Sequence, residues 1–200
     1  MLAQVKQRTG TPGGPERVQL IANAENKGYP AGCNRGLAEA KGQYLVYLNN
    51  DTVVTAGWLE GLIRWSLYDW PKVGMVGPVT NHAVAPQAVQ VDYGDLAGLP
   101  AFAVRWRTAH ANQAQRLERL VGFCLLVRRE VHNAIGGFDE QFGLGFFDDD
   151  DFSLRARQRG FDLIMANDVF IHHFGNRAFA GMGVGQGPVW ADRDRGHRLD

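Results

Sequence analysis

Residues 43–54 read QYLVYLNNDTVV. QYLVYL, at 43–48, is a continuous apolar run, the pattern of a strand buried on both faces of a parallel sheet. It passes directly into Asn49, Asn50, Asp51 and Thr52. Ligands of open α/β sheets collect outside the carboxyl ends of the strands, so polar residues at that place form a candidate site. Asp51 suits a hard divalent cation such as Mg²⁺ or Mn²⁺. Asn49 and Asn50 suit ribose or water. The same residues also make a plain strand-to-helix turn, and the motif alone does not separate the two readings. An aspartyl-phosphate site of the form Asp-x-Asp-x-Thr is disfavoured, because Asn49 stands where the nucleophile belongs and an amide does not attack phosphorus as a carboxylate does.

Working outward, strand-like and helix-like segments alternate. VQLIA (18–22) is a short apolar run, AGCNRGLAEAKG (31–42) has helical composition closed by Gly42, and TAGWLEGLIRWSL (55–67) sets Leu59, Leu62, Ile63 and Leu67 on one helical face behind Thr55 as N-cap. KVGMVGPV (72–79) and LVGFCLLV (120–127) read as strands, RREVHNAIGG (128–137) as a short helix, and FDLIMA (161–166) and DVFIHHF (168–174) as late strands. The alternation predicts a single α/β domain over 1–175 with a mostly parallel central sheet. Residues 80–119 read as a long irregular insertion with a helix at 108–119. Residues 176–200, Gly-rich and then charged, read as a tail or lid.

Composition narrows the partners. The chain has 200 residues, and Lys plus Arg equals Asp plus Glu at 21 each, so no basic field calls for nucleic acid. Two cysteines, Cys33 and Cys124, argue for a reduced, cytoplasmic protein rather than a disulfide scaffold. VGFCLLV at 121–127 is the longest clear apolar run and is too short to span a bilayer, which leaves peripheral contact with the inner membrane surface as the expectation.

Three further stretches can carry chemistry. FFDDDDFSLRARQRG (146–160) opens a helix with Asp148, Asp149, Asp150 and Asp151. Acids at a helix start are stabilised by the macrodipole at ~0.3–1 kcal/mol each. Four adjacent carboxylates also raise one another's pKa, which suits a general base or a cation site. An EF-hand is excluded, since Ser153 and Arg159 stand where Gly and Glu are required. IHHFG (171–175) puts His172 and His173 on opposite faces of a strand. ENKGYPAGCNRG (25–36) supplies glycines for close backbone approach ahead of a helix start that favours phosphate, without the spacing of a dinucleotide fingerprint.

Taken in order, ENKGYPAGCNRGLAEAKGQYLVYLNNDTVVTAGWLEGLI, VGMVGPVTN, GFCLLVRREVHNAIGGFDEQFG, DDDDFSLRARQRG and IHHFG resemble the family 2 glycosyltransferases, most nearly the bacterial rhamnosyltransferase-like branch, over about residues 18–179. The resemblance implies a GT-A fold and inverting transfer of a sugar from a nucleoside diphosphate donor to an acceptor hydroxyl on a glycan or lipid-linked acceptor, in cell-surface polysaccharide synthesis. It implies a divalent cation on Asp51, with His172 or His173 completing the site. Asp149 matches the catalytic base, flanked by Asp148 and Asp151. Asn26, Gly28 and Asn34 match the loop near the nucleotide, with Asn49 and Asn50 beside the metal motif. Phe138, Asp139 and Glu140 match a segment shaping the sugar pocket. Nothing before residue 18 resembles the family's first nucleotide-binding strands, so the sheet is expected to be N-terminally truncated and to self-associate through an exposed edge. The alternative is a non-catalytic GT-A remnant acting as a binding or assembly module.

Overall fold

The computed structural model describes residues 19–67 and 72–175. The strand start at residue 18, the N-terminal stretch before it and the tail at 176–200 lie outside the described residues.

Helix α1 (Gly28–Glu39) starts earlier than its composition suggests, with Pro30 in its first turn, where a missing N–H removes no helical bond. It also ends before Gly42. The reason is Arg129, whose guanidinium donates to the carbonyls of Ala40 (2.7 Å) and Gly42 (3.0 Å) and draws that segment into extended backbone. Strand β1 (Tyr44–Leu48) follows, then the two-residue strand β2 (Thr52–Val53). Helix α2 (Trp58–Ser66) begins after a left-handed Gly57, not at Thr55. The Thr55 hydroxyl donates instead to Phe170 O, 2.6 Å away, tying the loop to the sheet. Leu62, Trp65 and Ser66 are the buried residues of α2, while Leu67 is 68% exposed.

Strand β3 (Val73–Val79) is buried along its whole length. Within 80–119 the helix is α3 (Leu99–Ala109), led by Pro100, and the segment 114–117 forms strand β4 (Ala114–Leu117). Strand β5 (Cys124–Arg128) runs into α4 (Arg129–Ile135); a 3-10 turn (Glu140–Phe142), helix α5 (Asp148–Gln158), strand β6 (Asp162–Phe170) and the short β7 (His172–His173) complete the order. The two strands expected at 161–166 and 168–174 are therefore one long strand and a separate pair of residues.

The main sheet has five strands in the order β1-β5-β3-β6-β4. Strands β3 and β6 pair in parallel; β1–β5, β3–β5 and β4–β6 pair antiparallel. It follows that β1, β3 and β6 share one direction and β4 and β5 oppose it. The sheet is mixed, with its parallel pair at the centre. The β2 and β7 residues form a two-stranded sheet, Thr52 opposite His173 and Val53 opposite His172. Residues of α2 pack with Val73, Val76, Leu126 and Ile164 into one core. Residues of α3, α4 and α5 pack with Met75, Leu125, Val127, Leu163 and Met165 into the other. The layering is that of an α/β domain.

Strand β1 departs from its sequence pattern. Leu45 and Tyr47 are buried, whereas Val46 is 37% and Leu48 40% exposed. The strand lies at the rim of the described sheet and pairs with β5 alone.

Candidate functional site

Strands β1, β3 and β6 finish at one end of the sheet, and antiparallel β5 begins there. Asn49–Asp51 follow β1, Asn81 and His82 follow β3, and His172–His173 follow β6. The N-terminus of α5 arrives at the same end, because the helix returns to start β6 at the other.

His173 is anchored by the residues after β3. Its N–H donates to Asn81 Oδ1 (2.8 Å), its carbonyl accepts from Asn81 Nδ2 (3.0 Å), and its Nδ1 lies 2.9 Å from His82 O. A carbonyl only accepts, so in the neutral ring Nδ1 carries the proton and Nε2 presents its lone pair. That lone pair stands 3.2 Å from Asp51 Oδ1, with both side chains about nine-tenths buried. The approach lacks hydrogen-bond geometry, and Nε2 is a buried atom with no hydrogen-bond partner. Two acceptors facing each other away from water need a positive species between them. An imidazole whose other nitrogen is bonded to a backbone carbonyl is also the usual arrangement of a metal-ligating histidine. The oxygen–nitrogen pair therefore fits a divalent cation, and the mixed donor set suits Mn²⁺ better than Mg²⁺. Among the described residues no group of three His, Cys, Asp or Glu is placed to share an ion. Phosphate-bound cations of this kind commonly take one or two protein ligands and fill the rest from substrate oxygens and water. His172 takes no part: its Nδ1 lies 2.6 Å from the Tyr93 hydroxyl on the opposite face.

The four acids of α5 have four different surroundings. Asp151 is paired with Arg155 (2.7 Å), whose other nitrogens hold the carbonyls of Ile135 and Gly137. Asp150 is paired with Arg119 (2.7 Å). Asp149 has no such cation among the described residues; its Oδ2 accepts from Gly122 N–H (2.7 Å) and its Oδ1 from Asp150 N–H (3.0 Å). Burial pushes its pKa up, and the Gly122 hydrogen bond opposes part of that shift. Asp148 is 5% exposed, and burial, then the Asp149 charge, push its pKa up to about 6. Asp151, expected among the catalytic acids, is thus committed to a clamp on the loop before the helix.

Residues 122 and 123 join the two clusters. Gly122 N–H holds Asp149, while Phe123 O accepts from Asn49 N–H (2.9 Å) and the Phe123 ring stacks on His173 at 5.2 Å. Asp51, nearly a hundred positions from Asp149, is therefore brought to the same sheet end through two consecutive residues.

The loop residues at the start of α1 serve the protein itself. Asn26 Oδ1 accepts from Gly28 N–H (3.0 Å). Gly28 has φ +88, and a Cβ there would lie 2.0 Å from Gly143 O, so the close approach is to the protein's own chain. Asn34 spends its amide on Phe138 N and O and on Glu140 Oε1. These contacts fix the loop that leads into α5. Tyr29, which the sequence did not single out, donates to Gly122 O (3.0 Å). Asn81 and His82 were also missed; the available signal was a polar pair closing the apolar strand 72–79. A groove of about 510 Å³ runs between α1 and β1, lined by Tyr29, Cys33, Leu37, Tyr47 and Leu48 among others.

The mixed α/β sheet, with polar residues at the carboxyl ends of its central strands, is of the GT-A class. The chain matches Glycosyl transferase family 2 over residues 2–136, and it belongs to that family. The match reaches upstream of residue 18 and stops short of the acid run. The O-antigen biosynthesis protein RfbC of Myxococcus xanthus is 31% identical over 158 residues, covering 72% of this chain and 12% of that protein. The N-acetylglucosaminyl-diphospho-decaprenol L-rhamnosyltransferase of Mycobacterium tuberculosis is 29% identical over 182 residues, covering 78% and 59%. The chain thus spans a part of each relative's length. Among solved structures, GalNAc-T7 with UDP, GalNAc and Mn²⁺ superposes with a TM-score of 0.57 at 17% identity, covering 76% of this chain and 31% of that one. The mannosyltransferase PcManGT of Pyrobaculum calidifontis with GDP-Man and Mn²⁺ gives 0.54 at 22% identity, covering 80% and 41%. At these identities the likeness is one of fold.

Proposed function

We propose that the chain carries the catalytic core of an inverting glycosyltransferase that moves a sugar from a nucleoside diphosphate donor to an acceptor hydroxyl in cell-surface polysaccharide synthesis. The observation that carries this reading is the meeting of the Asp51–His173 pair and Asp149 at Gly122 and Phe123. The relatives' names support the polysaccharide context and a glycan or lipid-linked acceptor.

In this reading Asp149 takes the proton from the acceptor hydroxyl as its oxygen bonds the anomeric carbon and the bond to the diphosphate breaks. Its raised pKa makes it a better base than a solvated aspartate. Asp51 and His173 hold the divalent cation; when bound, it supplies neutralisation of the leaving diphosphate. Gly122 fixes Asp149 through its N–H, and Asn49 sits against Phe123 on the cation side. The neighbouring Asp150 carboxylate raises the Asp149 proton affinity further.

The acceptor is met from the cytoplasmic face of the inner membrane in this reading. Among the described residues no helix is long and apolar enough to cross a bilayer. Among the described residues no strand pairs with the outer side of β1, where Val46 and Leu48 are exposed, and this supports self-association through that edge.

Isothermal titration with UDP-, GDP- and dTDP-sugars, with and without Mn²⁺, tests the reading. Metal-enhanced binding of one donor is expected, and His173→Ala should weaken the Mn²⁺-dependent part about 10–100-fold. A chain that binds no nucleoside diphosphate under any condition is instead the non-catalytic remnant.

A further inference from the structure

Phe147 occupies the N-cap position of α5 with φ 64 and ψ −1, and its side chain caps nothing. Ser, Thr, Asp or Asn usually stands at such a position, and a bulky residue at positive φ is an outlier. Phe146 before it is also left-handed, at φ 72. The backbone has a reason for this turn: it carries the Phe146 N–H back to the Asp148 carboxylate. The aromatic identity has none in the fold, because Gly or Asn takes the same conformation more readily. Core packing does not explain the aromatic at 147 either, since Phe147 is 58% exposed. The loop is nonetheless firmly set. Tyr29 N–H donates to Leu144 O (3.3 Å), and Gly28 packs so closely on Gly143 and Leu144 that no Cβ fits.

The result is an exposed aromatic side chain two residues from Asp149, on a loop held at Gly143 and Leu144. Pyranose rings have an apolar C–H face and a rim of hydroxyls. A ring that meets the face, next to carboxylates that accept from the rim, is complementary to both. An anionic lipid surface is a poor alternative, because four consecutive aspartates adjoin the loop and would be repelled. The sugar on this side is the acceptor's: Asp149 acts on the acceptor hydroxyl, and the donor diphosphate belongs at Asp51 and His173. We infer that Phe147 is the stacking platform for the acceptor's pyranose ring and so helps determine which acceptor is used, an assignment that rests on the transferase reading above.

The test measures binding of a panel of p-nitrophenyl glycopyranosides by saturation-transfer NMR, with nucleoside diphosphate and Mn²⁺ present. Phe147→Gly suits the backbone, so its melting temperature should hold or rise. At least one pyranoside should bind the parent protein. Phe147→Gly should weaken that binding about five- to tenfold, the size of one aromatic stacking contact. Phe147→Trp should restore it, and nucleotide affinity should be unchanged in both variants. Unaltered sugar affinity in Phe147→Gly overturns the inference. So does a protein that binds nucleotide but no pyranoside of the panel. Loss of all nucleotide binding in the parent would instead strike the transferase reading, and a Phe147-dependent pyranoside signal would survive it.

Discussion

The Asp51–His173 pair and the Asp148–Asp151 run bring acidic groups to one sheet end by different physics. The first is built from backbone. Pairing of β2 with β7, Asn81 on the His173 main chain and His82 on its ring leave Asp51 Oδ1 and His173 Nε2 buried 3.2 Å apart without a hydrogen bond between them, a place that a cation fits. The second is a helix start, where the chain itself supplies cations. Arg119 neutralises Asp150 and Arg155 neutralises Asp151, while Asp148 and Asp149 keep their charge problem through burial. A cluster left short of one positive charge is suited to an incoming cation. A cluster with two desolvated acids is suited to holding a proton. The distinction is one of compensation, and a count of carboxylates misses it.

The sharpest way to break this contrast is at Asp149. Asp149→Asn retains an oxygen for the Gly122 N–H but no proton affinity. Transfer should fall about 10²–10⁴-fold, with donor binding and melting temperature kept. Wild-type-like transfer by this variant would move the base elsewhere.

A smaller effect sharpens the assignment of Asp148. Its pKa in the folded state is raised to about 6, above its ordinary carboxylate value. The folded state therefore holds the proton more tightly than the unfolded chain. The stability this contributes is complete below about pH 4 and is lost as pH rises through about 6. Asp148→Asn, which cannot ionise, should be more stable than the parent above pH 6, by about 1–3 kcal/mol. The two proteins should converge below pH 4. Thermal melts across that range read the difference, and a constant offset at all pH values would contradict the desolvation argument.

The smallest effect belongs to the neutralised acids. Arg119 and Asp150 are 51% and 31% exposed, so Arg119→Ala should cost less than about 1 kcal/mol and shrink further in salt. A large loss of activity from it would show that Asp150 is more than a paired surface acid.

Much of the fold was legible. Strand β3 announces itself through an unbroken apolar run, and α5 through acids at its start and arginines at its end. The helix at Leu99–Ala109 was displaced in the reading to 108–119, although Pro100 was a start signal. Strand β4 was illegible for a physical reason: AQRL has no strand pattern, and its extended form comes from pairing with β6 at the rim. Thr55 looked like a cap because its type fits one, yet a carbonyl more than a hundred residues later took its hydroxyl. At the site, Asp51, His173 and Asp149 stood in recognisable motifs. Asn26, Gly28 and Asn34, which match the loop near the nucleotide, make hydrogen bonds and close contacts with the protein's own chain that the sequence did not show.

Local order alone settled which residue types stand at the strand ends and at the head of α5, because periodicity and helix electrostatics act within a few residues. Tertiary pairing settled the rest. Which histidine turns to Asp51 follows from the register of β7 on β2. Which two of four aspartates remain uncompensated follows from where Arg119 and Arg155 come to lie. Both are long-range outcomes of packing: a side chain's charge is written in its residue type, but its compensation depends on neighbours that only the folded chain supplies.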